Sequence, residues 1–215
     1  MILKGDNMRV VISGGGTGGH IYPAVAIIEE LKRRDENIEI LYIGSKNSME
    51  SELIPSLNIN FKSIEVMGLP RKINKKFFKS VFILFKGLSQ AKKILKEFKP
   101  DVVIGTGGFV TGPVLYKAHK LGIYTIFHEQ NSYPGITNRI LSRYVDSMAV
   151  TFRESIKFFS KSSGNFSTSY SFQRSSLSFW ENTSANTLIS TPLGGVLKGF
   201  ERRGSLLMEV RRDSR

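Results

Sequence analysis

Three polar stretches, each directly after an apolar β-branched run, hold the residue types that can do chemistry. They are Ser13-Gly14-Gly15-Gly16-Thr17-Gly18-Gly19-His20, Gly105-Thr106-Gly107-Gly108-Phe109-Val110-Thr111-Gly112-Pro113 and His128-Glu129-Gln130-Asn131. Glycine permits a tight turn and leaves backbone N–H groups bare toward an arriving anion. Where such a turn opens a helix, the helix dipole adds about 0.3–1 kcal/mol per favourable contact with negative charge. His20, in the first turn of that helix, can reach a cleft above the loop and take up a proton. Amide-lined turns beside a histidine describe an enzyme that handles phosphate.

The commoner phosphate patterns fit poorly. Gly14, Gly16 and Gly19 satisfy G-x-G-x-x-G, yet the second strand ends Tyr42-Ile43-Gly44-Ser45 without an acid to hold a dinucleotide ribose. The next acid is Glu50. No Gly-Lys-Ser/Thr follows the first turn, so the P-loop pattern fails as well. No Asp-x-Asp motif or clustered Asp/His set lies on a strand-end loop, so no metal and no cofactor is expected. Fixed amides would neutralise phosphate charge instead. The absence of cysteine removes disulfides and thiolate ligands, which fits a reducing compartment.

Such loops need a scaffold that gathers strand ends along one edge. Runs at 9–13, 38–43, 61–66, 101–104, 123–127 and 145–150 read as strands. Between them 24–34, 48–57, 75–98, 113–121 and 134–143 read as helices, with Pro23 near a helix start and Gly87 a point where the long one can break. This alternation predicts an α/β fold, a Rossmann-like doubly wound parallel sheet. Past Ser160 the texture changes: 14 of the 31 residues from Lys161 to Thr191 are Ser or Thr. Residues 161–215 bury too little apolar surface to offset their ordering entropy, so an irregular tail is expected after a domain at 8–160.

The three motifs, in this order and spacing, resemble the N-terminal domain of the MurG family of bacterial peptidoglycan glycosyltransferases over residues 8–160. Phe98-Lys-Pro-Asp101 and Pro134-Gly-Ile-Thr-Asn138 belong to the same resemblance. It implies a GT-B architecture, two Rossmann-like domains with the reaction between them, the first handling the lipid acceptor. It also implies inverting transfer of N-acetylglucosamine from the donor UDP-GlcNAc to undecaprenyl-pyrophosphoryl-MurNAc-pentapeptide, lipid I to lipid II. His20 would then deprotonate the attacking sugar hydroxyl.

Thr17, Gly18, Gly19 and Asn131 match positions that touch the UDP-sugar in the family; read alone, Asn131 is a turn residue. Gly15, Gly16, Gly105, Gly107, Gly108 and Gly112 would face the acceptor pyrophosphate, with Thr106 and Thr111 adding hydroxyls. Gln130 is counted with them. His128 and Glu129 either touch the acceptor or form a buried pair that shapes the loop, and His119 reads as surface. A family member continues into a donor-binding domain, where this chain has the Ser-rich tail, natural or out of frame. It is therefore expected to be inactive alone. The alternative is a non-catalytic acceptor-binding, membrane-docking module that needs a separate donor subunit.

The formal charge of +13 is local. Arg71 to Lys99 holds ten basic residues against the single acid Glu97. There Ile73, Phe77, Phe78, Phe82 and Phe85 interleave with Lys72, Lys75, Lys76 and Lys79, and Phe78, Val81, Phe82 and Phe85 share one helical face. That face either packs on the sheet or meets a membrane surface. The charge favours an anionic membrane, where each Lys contributes about 1 kcal/mol. A peripheral protein on the cytoplasmic face of the cell membrane is expected, as the resemblance also implies. No nucleic-acid motif accompanies the basic stripe. No run approaches the roughly 18 apolar residues of a spanning helix, and the first seven residues are too short and polar for a signal peptide.

Overall fold

The computed structural model describes residues 7–68, 70, 75–159 and 165–168. Its strands are β1 (Arg9–Gly14), β2 (Glu39–Ser45), β3 (Asn60–Ile64), β4 (Val102–Gly107), β5 (Tyr124–Glu129), β6 (Ser147–Val150) and β7 (Asn165–Thr168). They form one sheet in the order β3-β2-β1-β4-β5-β6-β7, and every neighbouring pair is parallel. Parallel neighbours require crossovers. Five are helical: α1 (Gly18–Arg34), α2 (Met49–Ser56), α3 (Lys75–Phe98), α4 (Thr111–Lys120) and α5 (Ile136–Leu141). A 3₁₀ turn at Arg153–Phe158 follows β6.

Alternate residues of each central strand serve two cores. Val10 and Ile12 of β1, with Val102 and Ile104 of β4, pack under α1 and α2 against Ile21, Ile28 and Ile54. Val11 and Val103 point the other way, toward Leu95 of α3, Val114 and Leu115 of α4 and Leu141 of α5. Both faces are covered, so the strands read as unbroken apolar runs rather than alternating ones.

Three sequence expectations change. Gly87 does not break α3: it is buried, and a Cβ there would stand 2.4 Å from the Glu65 carbonyl oxygen. The glycine lets the helix lie directly on the segment after β3. Pro23 falls at the sixth position of α1, beyond the first turn, so the Gly19 carbonyl receives no helical N–H from it. Within the stretch expected to be irregular, Asn165–Thr168 add an edge strand to β6. Residues 160–164 and 169–215 of that expected tail lie outside the described residues.

Candidate active site

β1 and β4 are neighbours at the centre of the sheet, and the helices that follow them cover opposite faces. At such a reversal a crevice opens beyond the strand ends, the usual ligand position in doubly wound folds. Here the two glycine turns meet. The Gly15 amide donates to the Gly107 carbonyl at 3.2 Å, and a Cβ on Gly108 would stand 2.2 Å from the Gly15 oxygen. Gly107 and Gly108 have φ of +111° and +87°, backbone that favours glycine. The third stretch ends β5, one strand over, and the Gln130 amide touches Nδ1 of His20. All three stretches therefore converge on one sheet edge.

The free amides are not those the turn suggests. Gly15 N is bonded to Gly107, and Gly16 N donates to Glu50 Oε2 at 3.1 Å. The N–H groups of Thr17, Gly18 and Gly19, at the start of α1, have no acceptor among the described residues. Three other expected phosphate contacts are engaged internally. Gly105 lies inside β4, where a Cβ would collide with Thr111 Cγ2 at 2.5 Å and with Leu115, so its role is packing. Thr106 Oγ1 donates to the His20 carbonyl at 2.7 Å. Thr111 Oγ1 reaches the Gly107 carbonyl at 2.7 Å and Ser13 O at 3.0 Å. Both threonines are fully buried and brace the crevice from below. Gly112, in the first turn of α4, is half-exposed.

Glu50 is a site residue that motif spacing does not reveal. Besides Gly16, its carboxylate accepts from the backbone and hydroxyl of Ser45, and the side chain is buried. Burial alone would raise its pKa, but the hydrogen bonds from Ser45 and Gly16 outweigh that and lower it. The one available signal is periodicity: Glu50 shares a helical face with Leu53 and Ile54, which places its carboxylate inward.

His128 and Glu129 belong to β5 rather than follow it. Burial pushes the His128 imidazole down to about 4 and holds it neutral at cellular pH. Its Nε2 lies 3.2 Å from Thr151 Oγ1, and Nδ1 is enclosed without a partner, although the residue keeps some accessible surface. Glu129 is fully buried on the opposite face. Oε1 accepts from the Asn131 amide and from Asn131 Nδ2, both at 2.9 Å, while Oε2 accepts from Asn138 Nδ2 at 2.7 Å. The exposed Asn131 is thereby fixed with its carbonyl oxygen turned outward. Asn138, buried on α5, completes this brace, a role that its place in the 134–138 stretch does not reveal because its partner is a buried strand residue.

The aromatic face of α3 does not enter the core. Phe78, Phe82 and Phe85 are 67, 71 and 67% exposed, beside the exposed Lys75, Lys76 and Lys79. The helix instead buries Ser80, Gly87, Ala91 and Leu95; Phe77 is half-buried. Lys72 and Ile73, expected to extend the face, lie outside the described residues. The segment after β3 links this helix to the crevice. Ser80 Oγ reaches Met67 Sδ at 3.2 Å, and a Cβ on Gly68 would stand 2.7 Å from the Phe109 ring, next to Gly108. No helix among the described residues is long and apolar enough to cross a membrane.

Residues 10–150 match the family described as the Glycosyltransferase family 28 N-terminal domain. Among curated relatives, the chain is 63% identical over 152 residues to a UDP-N-acetylglucosamine--N-acetylmuramyl-(pentapeptide) pyrophosphoryl-undecaprenol N-acetylglucosamine transferase of Finegoldia magna, covering 71% of this chain and 41% of that protein. A Bacillus subtilis protein of the same name is 55% identical over 152 residues, covering 71% and 42%. The chain thus spans about two fifths of their length. Among solved structures, Acinetobacter baumannii MurG superposes with a TM-score of 0.61 at 30% identity, covering 74% of this chain and 45% of that one. A Neisseria meningitidis UDP-GlcNAc 2-epimerase, at 18% identity and a TM-score of 0.53 over 70% and 42% of the two chains, shares the fold.

Proposed function

Because this chain belongs to the glycosyltransferase family 28 N-terminal domain family, we propose that it is the acceptor-handling half of an inverting N-acetylglucosaminyltransferase. Its relatives' names give the substrates: UDP-N-acetylglucosamine as donor and an N-acetylmuramyl-(pentapeptide) pyrophosphoryl-undecaprenol as acceptor. The observation that carries this reading is the crevice where both glycine turns meet beside His20. A diphosphate oxygen is received by the bare amides of Thr17, Gly18 and Gly19, at the positive end of α1. The outward oxygen of Asn131 accepts from a sugar hydroxyl. His20 Nε2, which has no protein partner among the described residues, takes the proton of the acceptor hydroxyl. That oxygen bonds to the anomeric carbon as the bond from this carbon to the UDP oxygen breaks, and UDP leaves with the electron pair. The amides supply the charge neutralisation, so the step draws on no resident metal.

The test is transfer of radiolabelled GlcNAc from UDP-GlcNAc to a soluble lipid I analogue. The purified chain alone is expected to be silent. It should become active when the C-terminal half of the Bacillus subtilis relative is fused after residue 159, and His20→Ala in that fusion should lower kcat at least a hundredfold. An active fusion insensitive to His20→Ala would remove the base assignment. Binding of the lipid analogue without transfer in any fusion would favour the separate-module reading.

The exposed phenylalanines of α3 and the adjoining lysines support docking on an anionic membrane, with Phe109 carrying the contact to the crevice rim. The lipid tail and the diphosphate of one acceptor would then be met by continuous surface. Replacing Phe78, Phe82 and Phe85 together by Ser should weaken sedimentation with phosphatidylglycerol vesicles by about tenfold or more. Unchanged binding would remove the docking assignment.

A further inference from the structure

We propose that Gln130 is a positioning residue for His20, its amide oxygen sharing the Nδ1 proton with the Thr106 carbonyl so that Nε2 stays bare. The chemical consequence rests on the base role proposed above; the geometry does not. His20 Nδ1 lies 3.1 Å from the Thr106 carbonyl oxygen. A carbonyl oxygen only accepts, so an unprotonated Nδ1 there would set two lone pairs against each other. Nδ1 therefore carries the hydrogen.

The second atom against Nδ1 belongs to the Gln130 amide. With Nδ1 protonated, that atom must be the amide oxygen, since an NH₂ would oppose another donor. Oxygen and nitrogen of an amide exchange by a half turn that leaves the side-chain envelope unchanged. With the oxygen turned away from His20, that arm is enclosed and unpartnered, so it gives this orientation no support. The Thr106 carbonyl decides it.

Two features hold the ring where this contact is made. A Cβ on Gly107 would stand 2.6 Å from Nδ1 and 2.8 Å from Cε1, so the glycine leaves the ring its space. The His20 carbonyl is anchored by the Thr106 hydroxyl at 2.7 Å. The imidazole is thus clamped between β4 and the end of β5, with both hydrogen-bonding neighbours on its Nδ1 side. Expected among the acceptor contacts, Gln130 here reinforces the tautomer that the Thr106 carbonyl favours, as the partner of a working histidine commonly does.

The sequence has three histidines, so the imidazole ¹⁵N spectrum of the full chain is assignable with a His20→Asn control. At a pH where the ring is neutral, His20 should show a protonated Nδ1 and a bare Nε2. Gln130→Leu should raise the Nε2–H share about fivefold, the ratio one net hydrogen bond sustains. Gln130→Glu, which keeps an acceptor, should restore the Nδ1–H form. A wild-type His20 protonated on Nε2, or a Leu variant with an unchanged tautomer ratio, overturns the proposal. If Gln130→Leu does not fold, Gln130→Ala removes the same acceptor and takes its place. Failure of glycosyl transfer with the tautomer as stated would refute the enzymatic reading alone.

Discussion

Gly108→Ala is expected to destabilise the domain by about 3 kcal/mol or more, a large part of the stability of a chain this size. Its Cβ would meet three backbone atoms of Gly15: the oxygen at 2.2 Å, the carbon at 3.0 Å and the nitrogen at 3.2 Å. Backbone cannot rotate aside as a side-chain tip can, so the two turns must separate. The residue's φ of +87° adds the strain of a left-handed alanine, roughly 1–2 kcal/mol. Gly16→Ala is the matched control. Its φ is +85°, but a Cβ there meets nothing within 4 Å, so only the conformational cost of about 1 kcal/mol applies. Urea unfolding of both variants measures the difference. Equal midpoints would mean that the turns do not abut.

Glu129→Ala should cost about 3 kcal/mol and also release Asn131. The carboxylate accepts from three N–H groups, and the Asn138 amide it serves is buried. Removing it leaves those donors without an acceptor, each at a cost of roughly 1–3 kcal/mol where water does not replace it. Glu129→Gln is the milder change, because one amide oxygen still serves Asn131 and the Asn138 amide can turn to accept from the new NH₂. Thermal unfolding separates the two variants, and exchange of the Asn131 side-chain NH₂ protons reports the loss of the brace. An alanine variant within about 0.5 kcal/mol of wild type would show that Glu129 carries none of this.

The strands were legible because both faces of the sheet are covered, so the cores of β1 (residues 10–12) and β4 (residues 102–104) read as plain apolar runs. The gathering of the glycine turns followed from topology: parallel strands put every strand-to-helix connection on one edge. What spacing could not show was which amides stay free. Gly15 and Gly16 are spent on Gly107 and Glu50, partners 92 and 34 positions away. Buried polar groups such as Thr106 and Thr111 look like ligand contacts in a motif because side-chain type alone does not tell a satisfied hydroxyl from an available one. The aromatic stripe of α3 was ambiguous for the opposite reason. Its periodicity fits either a core or a surface, and the small residues Ser80, Gly87 and Ala91 decide which face lies down.

The inward turn of Glu50 also withdraws an acid from the rim of the crevice. In dinucleotide enzymes an acid near the second strand stays outside and grips the adenosine ribose. Here the comparable acid has been drawn beneath the first turn and committed to Gly16 and Ser45. That carboxylate is therefore not free to grip a ribose diol at the rim. A Gly-rich turn of this pattern can thus carry its neighbouring acid outside or beneath it, and only the first arrangement leaves a carboxylate facing a ligand.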